Sequence, residues 1–213
     1  MLYKLFKFEL QIMNRTYHLI RHNIYMLLLF SIIFSMVLPE QFVSQYIKML
    51  ICFFGVVFAS LTVPHYLVKI DMQDGFLETL ITSVPTIKIC AAKYLALTCS
   101  LLLSAIFSMV FISIFFAFSW LEILYLSLLI IIAIFQLSGV IMLGNIVHSY
   151  FRRNTNMLIA LITPLIIPTI IIGGSGLETL NFDLIMILLG IDLIIIPIIF
   201  FLSSYLLSNL YEF

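Results

Sequence analysis

Short polar stretches alternate along this chain with long apolar runs that contain no Asp, Glu, Lys or Arg. The runs cover residues 22–39, 49–68, 94–121, 123–151, 154–177 and 193–211. A helix crossing the hydrocarbon of a bilayer needs about 20 predominantly apolar residues, so the pattern predicts six transmembrane helices in an all-α membrane protein. The sixth run reaches back to Leu184 if Asp192 is accepted inside it. An unpaired charge at mid-bilayer costs about 2.5–3.5 kcal/mol on insertion scales. That cost favours a span beginning near Ile191, with Asp192 at the outer interface.

Two polar stretches have a helical period of their own. In residues 1–20, Lys4, Lys7, Gln11, Asn14, Arg15 and His18 recur at three- and four-residue spacing, and Leu2, Leu5, Phe6, Ile12, Met13, Leu19 and Ile20 fill much of the rest. Such a basic amphipathic helix is expected to lie flat at the headgroups before the first span. Between the second and third runs, over residues 69–84, Met72, Phe76, Leu80 and Val84 recur every fourth residue, with Leu77 and Ile81 beside them. Asp71, Asp74 and Glu78 stay off that stripe, the two aspartates suit the positive end of a helix dipole, and Pro85 ends the segment. A second short amphipathic helix is predicted there, outside the membrane.

Composition agrees with this picture and charge orients it. Hydrophobic residues make up 64% of the 213 residues, charged residues 9%, and mean hydropathy is +1.25. A soluble domain carries roughly a quarter charged side chains. With the N-terminus in the cytosol, Lys4, Lys7, Arg15, Arg21, Lys69, Lys88, Lys93, Arg152 and Arg153 are cytosolic and only Lys48 is outside, as the positive-inside rule requires. Both termini then lie in the cytosol and the stretch 69–84 becomes the longest cytosolic connection. About twenty mixed residues precede the first run and no small-residue cleavage site follows it, unlike a cleaved signal peptide. No linker or low-complexity tract divides residues 1–213, which read as a single transmembrane domain. Net charge is zero, so nothing points to nucleic acid as a partner.

Candidate chemistry is sparse. Gly173-Gly174-Ser175-Gly176 lacks the Lys-Ser/Thr pair of a phosphate-binding loop, and no Ser/His/Asp, HExxH or CxxCH arrangement occurs. Neither a catalytic residue nor a metal ligand is assigned. Cys52, Cys90 and Cys99 stand far apart in apolar settings and read as small buried hydrophobes. All four histidines fall on the cytosolic side, where headgroup or loop positions explain them. Small residues run down the third span at four-residue spacing (Ala92, Ala96, Ser100, Ser104, Ser108), and Gln136, Ser138, Gly139, Gly144 and Asn145 mark the fourth. Small side chains let helix backbones approach where lipid provides no drive to associate, so both sets read as packing seams. Pro164 and Pro168 are expected to bend the fifth span and Pro197 to kink the sixth. The glycines after Pro168 are then expected to break the fifth helix, with 173–183 dipping back as an irregular segment.

The loop Asp71-Met-Gln-Asp-Gly-Phe-Leu-Glu, followed by Pro85 and by Ala92-Lys93 entering the next span, resembles the cytosolic loop of the cytochrome c maturation protein B family, also called haem exporter protein B. A second block is similar to the basic turn and double-proline span of that family: Arg152, Arg153, Leu161, Pro164, Leu165, Ile167 and Pro168. The opening helix and a first span ending in Leu38-Pro39-Glu40 fit as well, so the resemblance covers nearly the whole chain. One departure is Asn154-Thr155, where many relatives continue the basic turn into glycines.

The resemblance implies an ABC-2-like permease: a non-catalytic membrane subunit working with a separate ATPase, a haem-handling membrane subunit, a small membrane subunit and a second copy of itself. Such a complex serves haem delivery to c-type cytochromes on the outer side of a bacterial inner membrane, or of a mitochondrial inner membrane. ATP is bound by the partner and haem is handled by the complex, with no cofactor in this chain. The absence of a Trp-rich outer motif and of an outer histidine favours mechanical coupling, with release of a haem-loaded chaperone, over direct haem carriage. The ATPase is expected to couple through Asp71, Asp74, Gly75, Phe76, Leu77, Glu78 and Leu80. Two other classes remain open at this stage: an ABC permease exporting a drug or polysaccharide, and an ATP-independent transporter using Asp192.

Overall fold

The computed structural model describes residues 2–15, 18–37, 44–62, 68, 71, 74–151 and 155–209, with backbone only at 150–151 and 155–163. Among these residues the fold is all-helical: α1 (Leu2–Arg15), α2 (Leu19–Val37), α3 (Gln45–Leu61), α4 (Phe76–Ser83), α5 (Thr86–Phe116), α6 (Trp120–Phe151), α7 (Thr155–Thr179) and α8 (Phe182–Asn209). In the described part, α2, α5, α6 and α8 are long and apolar enough to cross a membrane, while Gln45–Leu61 and Pro164–Thr179 are apolar but shorter. Wide faces of α5 and α8 expose large hydrophobics, among them Ile106, Phe107, Val110, Ile114, Met186, Leu193, Ile194 and Phe201. Water tolerates no apolar surface of that extent on a monomer; lipid does. The chain is a multi-pass membrane protein.

In hydrocarbon a polar group is expected to find its partner inside the protein, and several span hydroxyls do so within their own helix. Ser31 donates to the Leu27 carbonyl at 2.7 Å, Ser60 to Val56 at 2.8 Å, and Ser100 to Ala96 at 2.8 Å. The helices pack around α6, which is buried along most of its length and meets α3, α5, α7 and α8; α2 packs on α5 and α3. Ala92, Ala96, Ser100, Ser104 and Ser108 are all fully buried on α5. On α6, Gln136, Ser138 and Asn145 are buried, and Gln136 Nε2 donates to the Leu165 carbonyl of α7 at 2.7 Å.

The structure departs from the sequence reading at four places. First, residues 1–20 do not form one helix: α1 ends at Arg15, His18 takes a positive φ of 48°, and α2 starts at Leu19. The basic and polar positions are exposed as the period predicts, but α1 packs along α5 instead of meeting lipid alone, burying Leu5, Glu9 and Met13. Second, α5 begins at Thr86, eight residues before the charge-free run, so Lys88 and Lys93 belong to that helix. Third, Gly173 to Gly176 do not break α7, which continues to Thr179. A Cβ on Gly173 would lie 2.6 Å from the Phe53 ring, and one on Gly176 would lie 2.6 Å from the Tyr125 hydroxyl. These glycines therefore admit neighbours and do not end the helix. Leu180, with φ 50°, makes the turn into α8. Fourth, Asp192 does not open the last helix at an interface: it lies well inside α8 and is buried. Pro164, Pro168 and Pro197 all sit within continuous helices.

Candidate functional site

The loop between α3 and α5 was the most chemically loaded stretch of the sequence, and its described residues divide by burial. Asp71 and Leu77 point inward: Asp71 is 7% exposed and Leu77 fully buried. Asp74 and Glu78 face outward with Thr79, Thr82 and Ser83. Phe76, Leu80 and Ile81 are half-buried, and Val84 is buried before Pro85 opens α5. Met72, another position of the apolar stripe, lies outside the described residues, as do Lys69 and the Arg152-Arg153 turn.

Local chemistry sets this geometry. The helix starts at Phe76, later than the positions of Asp71 and Asp74 suggested, because Gly75 takes a left-handed conformation (φ 68°) immediately before it. A side chain is strained in that conformation and glycine is not. Glu78 falls in the first turn, where the helix dipole favours an anion. Thr79 donates to the Phe76 carbonyl at 2.8 Å and Ser83 to the Thr79 carbonyl at 2.8 Å. With these hydroxyls bonded to their own helix, the carboxylates of Glu78 on α4 and of Asp74 in the turn before it are the charged groups presented outward.

Just before α4 the connection is held to the bundle at Asp71 by a charge cluster that the sequence did not reveal. Lys93 of α5 is only 5% exposed, and its ammonium contacts Glu9 of α1 at 2.9 Å and Asp71 of the loop. Glu9 is 2% exposed, so one buried cation holds two buried anions from separate segments. Lys93 is therefore no solvated cytosolic charge, and Asp71 is no free docking carboxylate: each is the other's partner. A small void beside the pair is bordered by Met13, Val68, Leu97, Met142 and Asn145. Beyond the cluster, Phe8 of α1 stacks at a tilt on Phe76, ring centroids 5.2 Å apart. Glu9 sits at a place where a lone acidic residue interrupts the apolar face of the first helix; that interruption was the signal available in sequence.

Elsewhere, α1 and α5 border an apolar groove of about 470 Å³ lined by Leu2, Tyr3, Phe6, Leu102, Ile106 and Phe135 among others. Among the described residues no group of three His, Cys, Asp or Glu side chains has a geometry suited to a metal ion.

Compared with known proteins, residues 1–208 match the profile of a family described as CcmB protein. Two curated relatives are similar over 99% of this chain and 98% of their own lengths: uncharacterized protein RC0356 of Rickettsia conorii at 31% identity, and uncharacterized protein RP268 of Rickettsia prowazekii at 32%.

Proposed function

The chain belongs to the CcmB family, and on that premise we propose that it is the permease subunit of an ABC-type complex serving haem delivery during c-type cytochrome maturation. It is not itself an enzyme: a separate subunit hydrolyses ATP, and this chain converts that cycle into movement within the membrane. The complex releases a haem-loaded chaperone on the outer side, with haem held by a neighbouring membrane subunit and no cofactor in this chain. Two copies pair with two ATPase protomers in a bacterial inner membrane. Six spans, counting α3 and α7 with the other four, put both termini in the cytosol.

The observation that carries this reading is the two-sided build of α4. One side is buried through Leu77 and tied through Asp71 to Lys93 and Glu9, while Asp74 and Glu78 remain outward. An element that receives force needs both properties: an exposed contact face, and a stiff attachment to the helices that must move. Asp74, Gly75, Phe76, Glu78 and Leu80 supply the contact, with Gly75 letting the backbone approach closely. Asp71 and Leu77 supply the attachment. Charges at the rim and apolar side chains at the centre are the usual division of labour in an interface.

Purification of the full chain from its native membranes, with stable partners identified by mass spectrometry, tests the proposal. An ATPase together with a haem-handling membrane subunit is the expected outcome. Recovery of an ATPase alone redirects the substrate to another exported compound, and recovery of neither overturns the reading.

A further inference from the structure

Asp192 lies about 15 Å along α8 from Phe182. It occupies the stripe that α8 turns toward the bundle, in line with Ile185, Leu188, Ile199 and Ser203. It is 5% exposed, and its Oδ1 has no hydrogen-bond partner among the described residues.

Among the described residues, ionisable groups on the helices packed against α8 do not supply a counter-charge. On α5, Lys93 is committed to Glu9 and Asp71, and Lys88 is exposed toward the far end of α8, where Thr86 bonds Ser204 at 2.8 Å. On α6, Glu122 and His148 lie at the two ends, and Tyr125 donates to the Asn181 carbonyl at 2.9 Å. On α7, Glu178 is exposed. Among the described residues, Tyr94 of α5 is a titratable side chain within electrostatic reach. Its hydroxyl hydrogen is given to the Phe135 carbonyl at 3.1 Å, beside the Thr98–Ser138 hydroxyl pair at 2.7 Å.

A carboxylate removed from water needs a cation or several donors; without them the carboxyl keeps its proton. A neutral carboxyl needs no counter-charge and carries a donor of its own. We propose that Asp192 is a proton-binding site inside the bundle, holding its proton while α8 is packed against α5 and α6 and releasing it when that seam opens to water. The site is independent of α4 and stands whether or not the ATPase docks there.

Infrared difference spectroscopy on the full chain in lipid, wild type against the near-isosteric Asp192→Asn, reads the protonation state directly. The expected result at neutral pH is a carboxylic-acid C=O band, shifted in D₂O and missing from Asp192→Asn. A hydrophobic carbodiimide, which adds to protonated carboxyls in apolar surroundings, is then expected to modify Asp192 and to leave exposed Asp183 and Glu178 unmodified. Should Asp192→Asn fail to accumulate, ¹³C-aspartate labelling of the wild type carries the same test, because Asp71 is ion-paired and Asp74 and Asp183 are exposed. Carboxylate bands at Asp192, with no acid band, overturn the proposal and assign the site to a cation.

Discussion

At the scale of single residues, Lys93 shows how burial changes the meaning of a charge. A buried ion pair is weak evidence for stability, since replacing all its members by neutral groups is often harmless, whereas removing one member strands the others. Lys93→Met leaves Glu9 and Asp71 buried without a cation and is expected to cost about 3–5 kcal/mol. The loss is read as reduced accumulation and an earlier thermal transition in detergent. The triple change Glu9→Gln, Asp71→Asn, Lys93→Met removes the stranded charges and is expected to recover most of that stability. If the triple variant is as unstable as the single one, packing of the lysine stem and not charge holds the cluster together. Glycine gives a second contrast. Gly173→Ala drives a methyl group into the fully buried Phe53 ring, an overpacking that costs about 1–3 kcal/mol. Gly190→Ala, with open space around it, is expected to be neutral or slightly stabilising. Equal thermal shifts for the two would refute the close approach of α7 to α3.

At the scale of elements, the sequence and the structure agree on where the long apolar helices lie and part at helix ends and in the two amphipathic stretches. Apolar runs locate the helices because hydrocarbon demands them. The four-residue spacing of small residues on α5 is likewise legible, and all five positions are buried. Ser104→Phe is expected to force α5 from its neighbour and lower the yield of folded protein several-fold, while Ser104→Ala is tolerated; size-exclusion profiles separate the two outcomes, and equal tolerance would place that face against lipid. Helix ends were less legible. A charge-free run cannot register that α5 begins at Thr86 and carries Lys93 bound to two carboxylates, or that Asp192 is accommodated within α8. Nor can a glycine-rich string show whether its glycines turn the chain or admit a neighbour's ring; here they admit Phe53 and Tyr125. The loop was half-legible: its acidic and apolar positions were visible, but which carboxylate faces inward depended on a lysine more than twenty residues away.

At the scale of the whole molecule, the charge cluster and the Phe8–Phe76 contact join α1, the loop and α5 into one unit at one end of the bundle. In the proposed mechanism a push on α4 is shared by α1 and α5, and through the α5 seam by α2, α6 and α8. The six-span arrangement itself is open to cysteine labelling: positions 15 and 69 are expected to react only from the cytosolic side, and positions 122 and 178 only from outside. In this mechanism the outward face of α4, with the turn before it, meets the ATPase. Photo-activatable residues at positions 74 and 78 of the full-length chain, in native membranes, test it most directly, with position 122 as control. Cross-linking to the ATPase from 74 and 78 but not from 122 is the result this account predicts. An ATPase that co-purifies with the chain yet cross-links from neither position 74 nor position 78 would contradict it.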